Sequence, residues 1–226
     1  AVVIVPHKDM GTMKTWITGP EVLAEAAIVD PALTLKCPPR VTAGAGMDAL
    51  SHTAEGVISL QANPYSDALE LKAIELVSKN LSTAYHQGSD IEARWNMSLA
   101  AMIGGQVISY PWVAGPACLG HVVSEGISAK YGIPHGEACG VVLPYVYWYN
   151  LPVPYAREKL AKIAGAMGVD ISGNTRQGSE KALEATFDLL EDLDLPTDLS
   201  SYGMKEGDIP ALSRYTLERS EKMYFM

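Results

Sequence analysis

The stretch PPRVTAGAGMDALSHTAEG, residues 38–56, decides the fold that this sequence predicts. From Thr42 onward its apolar side chains recur at spacings of three and four residues, as they do on one face of an α-helix. The residues of this stripe are Met47, Leu50, Ala54, Val57 and Ile58. We therefore expect a helix here and, from this point on, a mainly helical chain.

The residues before this stretch have a different pattern. β-Branched pairs occur at Val2–Val5 and Ile28–Val29, and turn dipeptides occur at Gly19-Pro20 and Asp30-Pro31. This alternation is typical of short strands and loops. The chain opens on AVVIV without a basic leader or a small-residue cleavage site. We therefore expect a strand that continues from an earlier segment, and no signal peptide.

Helical patterns continue towards the end of the chain. Residues 66–81 carry an apolar stripe, and residues 91–109 are rich in Ala, Met and Leu, as a buried helix would be. Gly/Pro clusters divide the rest into helices of ordinary length; they lie at 115–116, 132–136 and 152–154. The final SEKMYFM segment looks helical and has no capping Gly or Pro, so we expect a truncated end.

Composition argues against two classes of partner. With 17 Lys+Arg against 26 Asp+Glu the formal net charge is −9, which repels polyanions, so we expect no nucleic-acid partner. No apolar run approaches the roughly 18 residues of a spanning helix, so we expect no membrane partner. The cysteines, Cys37, Cys118 and Cys139, lack disulfide or metal-ligand spacing, which predicts small buried side chains and a reducing, cytoplasmic compartment.

Two short segments contain the residues that most resemble metal ligands. Asp48 and His52 are four residues apart, so they project from one side of a helix, one turn from each other. His121 lies on a predicted helix, and His135 follows a Gly/Pro turn that can bring it back towards the same place. One carboxylate with three imidazoles suits Zn²⁺ or Fe²⁺. Taken singly, each histidine is more often a hydrogen-bonded core residue than a ligand.

The sequence resembles the iron-containing (group III) alcohol dehydrogenases over long segments. The matching segments are AAIVDPALT (26–34), residues 38–56, and LGHVVSEGISAKYGIPHGEACGVVLPYVYWYN (119–150). In that family a Rossmann-like N-terminal half binds NAD(P), and a helical C-terminal half holds Fe²⁺ or sometimes Zn²⁺. The resemblance implies a mainly α fold, with residues 31–226 as the helical metal-binding domain, truncated at its C-terminus, and residues 1–30 as a β/loop remnant of the cofactor-binding domain.

The resemblance also assigns residues to the site. The matched metal ligands are Asp48, His52, His121 and His135. The matched cofactor-contacting residues are Lys14, Val41 and Thr42. The implied activity is reversible hydride transfer between a small alcohol or aldehyde and NAD(P), with the metal polarising the alcohol oxygen. Apolar helices and low charge suggest a homo-oligomer.

Two features depart from the family pattern. The pyrophosphate loop of the N-terminal half is absent, and Gly11 and Gly44–Gly46 lack the GxGxxG spacing, so we expect this chain alone to bind no dinucleotide and to be inactive. Glu125 stands where many members have a second histidine. It is predicted to be a proton relay, an extra ligand or the mark of a subfamily with another substrate.

Three other functions stay open at this point. The first is a related metalloenzyme of the dehydroquinate synthase or glycerol dehydrogenase type, which the GMDALSH pattern disfavours. The second is a non-catalytic metal-binding or assembly domain, and the third is metal-assisted hydrolysis. Tyr110 and Trp112 are predicted either to line the substrate pocket or to pack in the core.

Overall fold

A computed structural model of the protein describes residues 2–7, 11–16, 19–22, 24–109 and 119–224. Its N-terminal strands, β1 (Val2–His7) and β2 (Gly11–Trp16), form an antiparallel hairpin. The register pairs Val2 with Trp16 and His7 with Gly11. The expected strand at the start of the chain is therefore present, as one arm of a hairpin.

Eight α-helices make up most of the described part of the chain. They are α1 (Pro39–Ile58), α2 (Pro64–His86), α3 (Ile91–Ser109), α4 (Leu119–Tyr131), α5 (His135–Asn150), α6 (Pro154–Ala166), α7 (Thr175–Asp192) and α8 (Ile209–Tyr224). The mainly α prediction is confirmed. Ile28 and Val29 lie in a loop, with Ile28 92% exposed, so β-branching there does not mark a strand. None of the described helices is long and apolar enough to cross a membrane.

Helix α1 lies at the centre of the fold. Four members of its predicted stripe, Met47, Leu50, Ala54 and Val57, are fully buried. They belong to a core cluster to which α2, α3, α5, α6 and α7 also contribute. Burying one such side chain of Val, Leu or Met size stabilises the folded state by about 1.5–3 kcal/mol. A smaller apolar cluster forms between α4, α5 and α8.

Close contact between α1 and α5 depends on glycines. A Cβ atom added at Gly136 would overlap the carbonyl oxygen of Gly44, and one added at Gly140 would lie 2.9 Å from the Cβ atom of Met47. The backbones of the two helices can approach this closely only because these side chains are absent. Gly44–Gly46 therefore lies inside a packed helix, which agrees with its lack of a nucleotide-loop pattern.

Asn63 fixes the beginning of α2. Its side-chain oxygen accepts hydrogen bonds from the backbone N–H groups of Tyr65 and Ser66, at 3.0 and 3.2 Å. The Ser66 hydroxyl accepts in turn from the Asn63 backbone N–H at 3.1 Å, which completes a capping box. The helix predicted over residues 66–81 is therefore present and longer, from Pro64 to His86.

Candidate metal centre

Three predicted ligand residues from three helices point at one position. His121 Nε2 lies 3.5 Å from Asp48 Oδ1, and His135 Nε2 lies 3.7 Å from the same oxygen. Asp48 is on α1, His121 on α4, and His135 is the first residue of α5. The contact between α1 and α5 described above is what brings Asp48 and His135 together.

His52, the fourth predicted ligand, lies against the same group. Its Nδ1 atom is 3.9 Å from Asp48 Oδ1. Its ring stacks on the ring of His121, with centroids 4.1 Å apart and planes at 28°. The structure therefore gathers all four predicted residues into one cluster, with His52 one helical turn after Asp48.

The cluster contains buried polar atoms that lack a hydrogen-bond partner among the described residues. They are Asp48 Oδ1 and His121 Nε2. Leaving such atoms buried without a partner costs about 1–3 kcal/mol each, and more for a charged group. A divalent cation between them would remove this cost. One carboxylate oxygen with imidazole nitrogens is a donor set that fits Zn²⁺ or Fe²⁺.

Glu55 contacts the His121 ring at Nδ1, the nitrogen that does not face Asp48. Glu55 Oε2 is 3.0 Å from His121 Nδ1, and the two side chains are 2% and 10% exposed. When Nδ1–H donates to this carboxylate, Nε2 keeps its lone pair free for a cation. Glu55 was not among the residues predicted from the sequence. Its signal was the spacing, because a residue seven after Asp48 lies on the same face of a helix.

The charges in the cluster shift one another's pKa values. Burial disfavours ionised Asp48, but the nearby imidazoles of His52, His121 and His135 outweigh it and hold the Asp48 pKa below its usual range. Burial and the positive charge of His121 lower the pKa of His52 to about 4. Burial also opposes protonation of His121, yet Cys139, Asp48 and Glu55 together raise its pKa. At neutral pH the cluster therefore has an ionised carboxylate beside a neutral His52.

Cys139 is part of this group, a role that the sequence did not suggest. Its Sγ atom lies 3.6 Å from His135 Nε2, one turn along α5. Asp48, His121, His135 and Cys139 each place one ligand atom within 4.8 Å of all the others. The prediction of a small buried side chain is correct for its burial but incomplete. The missed signal was the His135–Cys139 spacing of four residues, the same as in Asp48–His52.

An ion pair fixes the ends of α1 and α5 beside the cluster. Arg40 Nε and Nη2 donate to the two carboxylate oxygens of Glu137 at 2.7 and 2.9 Å. Tyr202 also donates its hydroxyl hydrogen to Glu137, at 3.3 Å. The Glu137 side chain is 2% exposed. Because Glu137 follows His135 by two residues, this pair orients the helix end that presents His135.

The other predicted site residues lie around the cluster or outside the described residues. Glu125 is buried on α4, one turn after His121. Val41 is half-exposed in the first turn of α1, and Thr42 is buried and accepts a hydrogen bond from Arg94 at 2.7 Å. The side chain of Lys14, which is on β2, and the residues Tyr110, Trp112 and Cys118 lie outside the described residues.

A helical domain with a partly buried cluster of one carboxylate and three imidazoles fits the metal-binding half of a metal-dependent dehydrogenase. The model of the Fe-containing alcohol dehydrogenase family, C-terminal, matches residues 42–224. The chain therefore belongs to the Fe-containing alcohol dehydrogenase family. Three of its relatives show how far the similarity reaches.

The 1,3-propanediol dehydrogenase of Klebsiella pneumoniae is 38% identical over 199 residues, which cover 87% of this chain and 49% of that protein. Long-chain-alcohol dehydrogenase 1 of Geobacillus thermodenitrificans is 34% identical over 212 residues, 93% of this chain and 52% of that protein. The solved sulfoacetaldehyde reductase of Bifidobacterium kashiwanohense, in complex with NAD⁺, has a TM-score of 0.79 at 30% identity, over 95% of this chain and 54% of that one. The chain spans about half the length of the curated relatives it matches.

Proposed function

We propose that Asp48, His52, His121 and His135 hold one divalent cation, Fe²⁺ or Zn²⁺. The observation that supports this most strongly is the pair of buried, unpartnered ligand atoms, Asp48 Oδ1 and His121 Nε2, 3.5 Å apart. Two donors of an ion with bonds of about 2.0–2.2 Å are separated by such a distance. The Glu55 carboxylate supports the proposal, because it leaves His121 Nε2 available.

Removal of a ligand tests this proposal directly. In the full-length protein that contains this chain, His121→Ala and His135→Ala should each lose the stoichiometric Fe²⁺ or Zn²⁺ found by elemental analysis after reconstitution. His86→Ala is the matched control, since His86 is an exposed histidine at the end of α2. Metal contents equal to wild type in both ligand variants would refute the assignment.

The activity we propose for the whole protein is reversible NAD(P)-linked oxidation of a small alcohol to its aldehyde. A bound divalent cation supplies Lewis-acid polarisation of the alcohol oxygen. The chain's own residues position the centre: Glu55 orients His121, and the Arg40–Glu137 pair orients the start of α5. The proposal is supported by the relatives named above, which are alcohol and propanediol dehydrogenases and an aldehyde reductase.

Glu125 and the cofactor-contacting residues complete the proposal. Glu125, buried one turn after His121, is proposed to pass protons between the site and solvent. Lys14, Val41 and Thr42 are proposed to contact NAD(P). Val41 and Thr42 lie in the first turn of α1, about two turns before Asp48, so a cofactor that touches them would lie near the cation.

We further propose that these residues act as one of two halves. Residues 31–226 would form the metal-binding domain, and residues 1–30 the end of a cofactor-binding domain. On this proposal residues 1–226 alone do not oxidise NAD(P)H with an aldehyde, because the nicotinamide has no fixed position relative to the site. Spectrophotometric assay of residues 1–226 beside the full-length protein tests this, and turnover by the shorter chain would overturn the two-half proposal.

A further inference from the structure

We propose that Arg94 is a positioning residue for NAD(P), which holds the first turn of α1 and leaves the Thr42 hydroxyl hydrogen for the cofactor. The inference rests on the cofactor contacts proposed above for Val41 and Thr42. It adds to them a residue of another helix, α3, that controls their position. The resemblance assigned no role to Arg94.

Arg94 connects three segments of the chain. Its side chain is buried, and its Nε atom donates to the carbonyl oxygen of Gly88, between α2 and α3, at 2.9 Å. Nη1 donates to Thr42 Oγ1 at 2.7 Å, and Nη2 donates to the carbonyl oxygen of Cys37, just before α1, at 3.3 Å. The guanidinium therefore fixes the start of α1 to the turn between α2 and α3.

The three acceptors of Arg94 are neutral oxygens, and within the described residues Arg94 has no carboxylate partner. Its role is therefore set by the geometry of its donors. A guanidinium presents its N–H groups in a planar, rigid fork, whereas a lysine ammonium is a compact charge on a flexible stem. Lys at position 94 would keep the positive charge, but one ammonium could not reach oxygens in three segments at once.

The hydrogen bond from Arg94 also changes what the Thr42 hydroxyl does. Ser51 and Thr53, further along α1, donate their hydroxyl hydrogens to carbonyl oxygens four residues back, at 2.8 and 2.9 Å. Thr42 accepts from Arg94 instead, and in the described part of the chain its hydroxyl hydrogen has no acceptor. A hydroxyl that accepts a hydrogen bond still has one to donate, and a buried donor without an acceptor is unfavourable. This turn therefore favours a ligand that supplies an oxygen.

The surroundings of this turn fit NAD(P). Val41 is 55% exposed, so the turn that Arg94 holds from the inside is open to a ligand from the outside. NAD(P) has phosphate, ribose and carboxamide oxygens that accept hydrogen bonds, and ring faces that pack on an apolar side chain. An exposed valine beside a hydroxyl donor suits both features.

Cofactor binding by the full-length protein tests the inference without turnover. NADH and NADPH are titrated into the protein, and binding is followed by the fluorescence of the reduced nicotinamide. Arg94→Lys and Thr42→Val should each raise the dissociation constant by about tenfold, the size of one lost hydrogen bond. Because Arg94 acts through Thr42, the double variant should also show about tenfold, and not the roughly hundredfold loss of two independent sites.

Gly88→Ala disturbs Arg94 from a position outside the cofactor turn. A Cβ atom added at Gly88 would lie 2.8 Å from Arg94 Nη2, so the guanidinium must shift and the dissociation constant should rise. Gly207→Ala is the matched control, because no atom lies within 4 Å of a Cβ atom added there. Bound metal should stay at the wild-type level in every variant, since Arg94 does not contact the metal cluster.

The outcomes separate this inference from the proposed activity. If wild type binds NADH or NADPH, and Arg94→Lys and Gly88→Ala bind it equally well, the positioning role is overturned and the proposed activity stands. A hundredfold loss in the double variant, or a loss of bound metal in Arg94→Lys, would also overturn this role. Wild type that binds neither cofactor would refute the proposed activity, and this inference with it. If Arg94→Lys fails to fold by circular dichroism, weaker binding by folded Gly88→Ala supports the role, and wild-type binding overturns it.

Discussion

Replacement of Glu55 by Gln should weaken cation binding and leave the helical fold intact. Glu55 Oε2 lies 3.0 Å from His121 Nδ1, and both side chains are almost fully buried. A hydrogen bond to a charged group contributes about 1.5–3 kcal/mol. Loss of a carboxylate behind a ligating histidine lowers metal affinity by about 10–100-fold, or about 1.4–2.7 kcal/mol. The two estimates agree.

The size of the effect should depend on the substitution. Gln keeps the shape of Glu55 and can still accept from Nδ1–H, but it has no charge, so we expect a loss near tenfold. Glu55→Ala leaves the His121 Nδ1–H group without its acceptor in a buried place, and we expect a loss near 100-fold. Circular dichroism should show unchanged helix content in Glu55→Gln.

The assay is a competition titration of Zn²⁺ between the full-length protein and a chromophoric chelator. Glu75→Gln is the matched control, because Glu75 is a surface carboxylate of α2 paired with Lys72 and Lys79. The control should bind Zn²⁺ as wild type does. If Glu55→Gln and Glu55→Ala both bind Zn²⁺ with wild-type affinity, Glu55 does not orient His121 and the reasoning about this hydrogen bond is wrong.

Three other predictions concern activity, helix packing and pH. If Glu125 relays protons, Glu125→Gln should slow alcohol oxidation by about 10²–10⁴-fold and leave the metal content unchanged. A lower metal content in this variant would instead make Glu125 a ligand. Steady-state rates and elemental analysis distinguish these two outcomes. Gly136→Ala should lower both the thermal midpoint and Zn²⁺ affinity, since its Cβ would overlap the carbonyl of Gly44; calorimetry and titration measure these, and a wild-type midpoint would contradict the proposed tight contact. Glu70 is fully buried, and burial, aided by Asp67 and opposed by Lys159, raises its pKa to about 8. The folded protein therefore keeps a proton on Glu70 that the unfolded chain releases above about pH 4.5. The free energy of unfolding should fall as pH rises from 4.5 to 8, by up to about 1.4 kcal/mol per pH unit. Urea titrations at several pH values measure this slope, and Glu70→Gln should remove it.

The sequence predicted the residues of the cluster better than the contacts that organise it. Apolar spacing in residues 38–56 was enough to place α1, and the four-residue spacing of Asp48 and His52 was enough to suggest a ligand pair. The structure places those residues beside His121 and His135, as the resemblance implied. These signals are local, so they can be read from a single chain.

The missed residues act through contacts between helices. Glu55 of α1 contacts His121 only because α4 packs against α1. Cys139 of α5 lies beside the cluster because glycines let α1 and α5 approach closely. No local pattern specifies either crossing. At Ile28–Val29 the local pattern favours a strand that the structure does not have. β-Branched residues favour strands, but no neighbouring strand is present to pair with them in the described loop.

Because the cluster contains residues of α1, α4 and α5, a bound cation would link these three helices, and its loss would remove that link. The free energy of binding would then add to the free energy of unfolding, by about 2.7 kcal/mol when free cation is a hundred times its dissociation constant. Metal supply in the cell would therefore set the resistance of the protein to proteolysis as well as its chemistry. Protein without the cation would unfold more often, and proteases would cleave it more readily than the loaded protein.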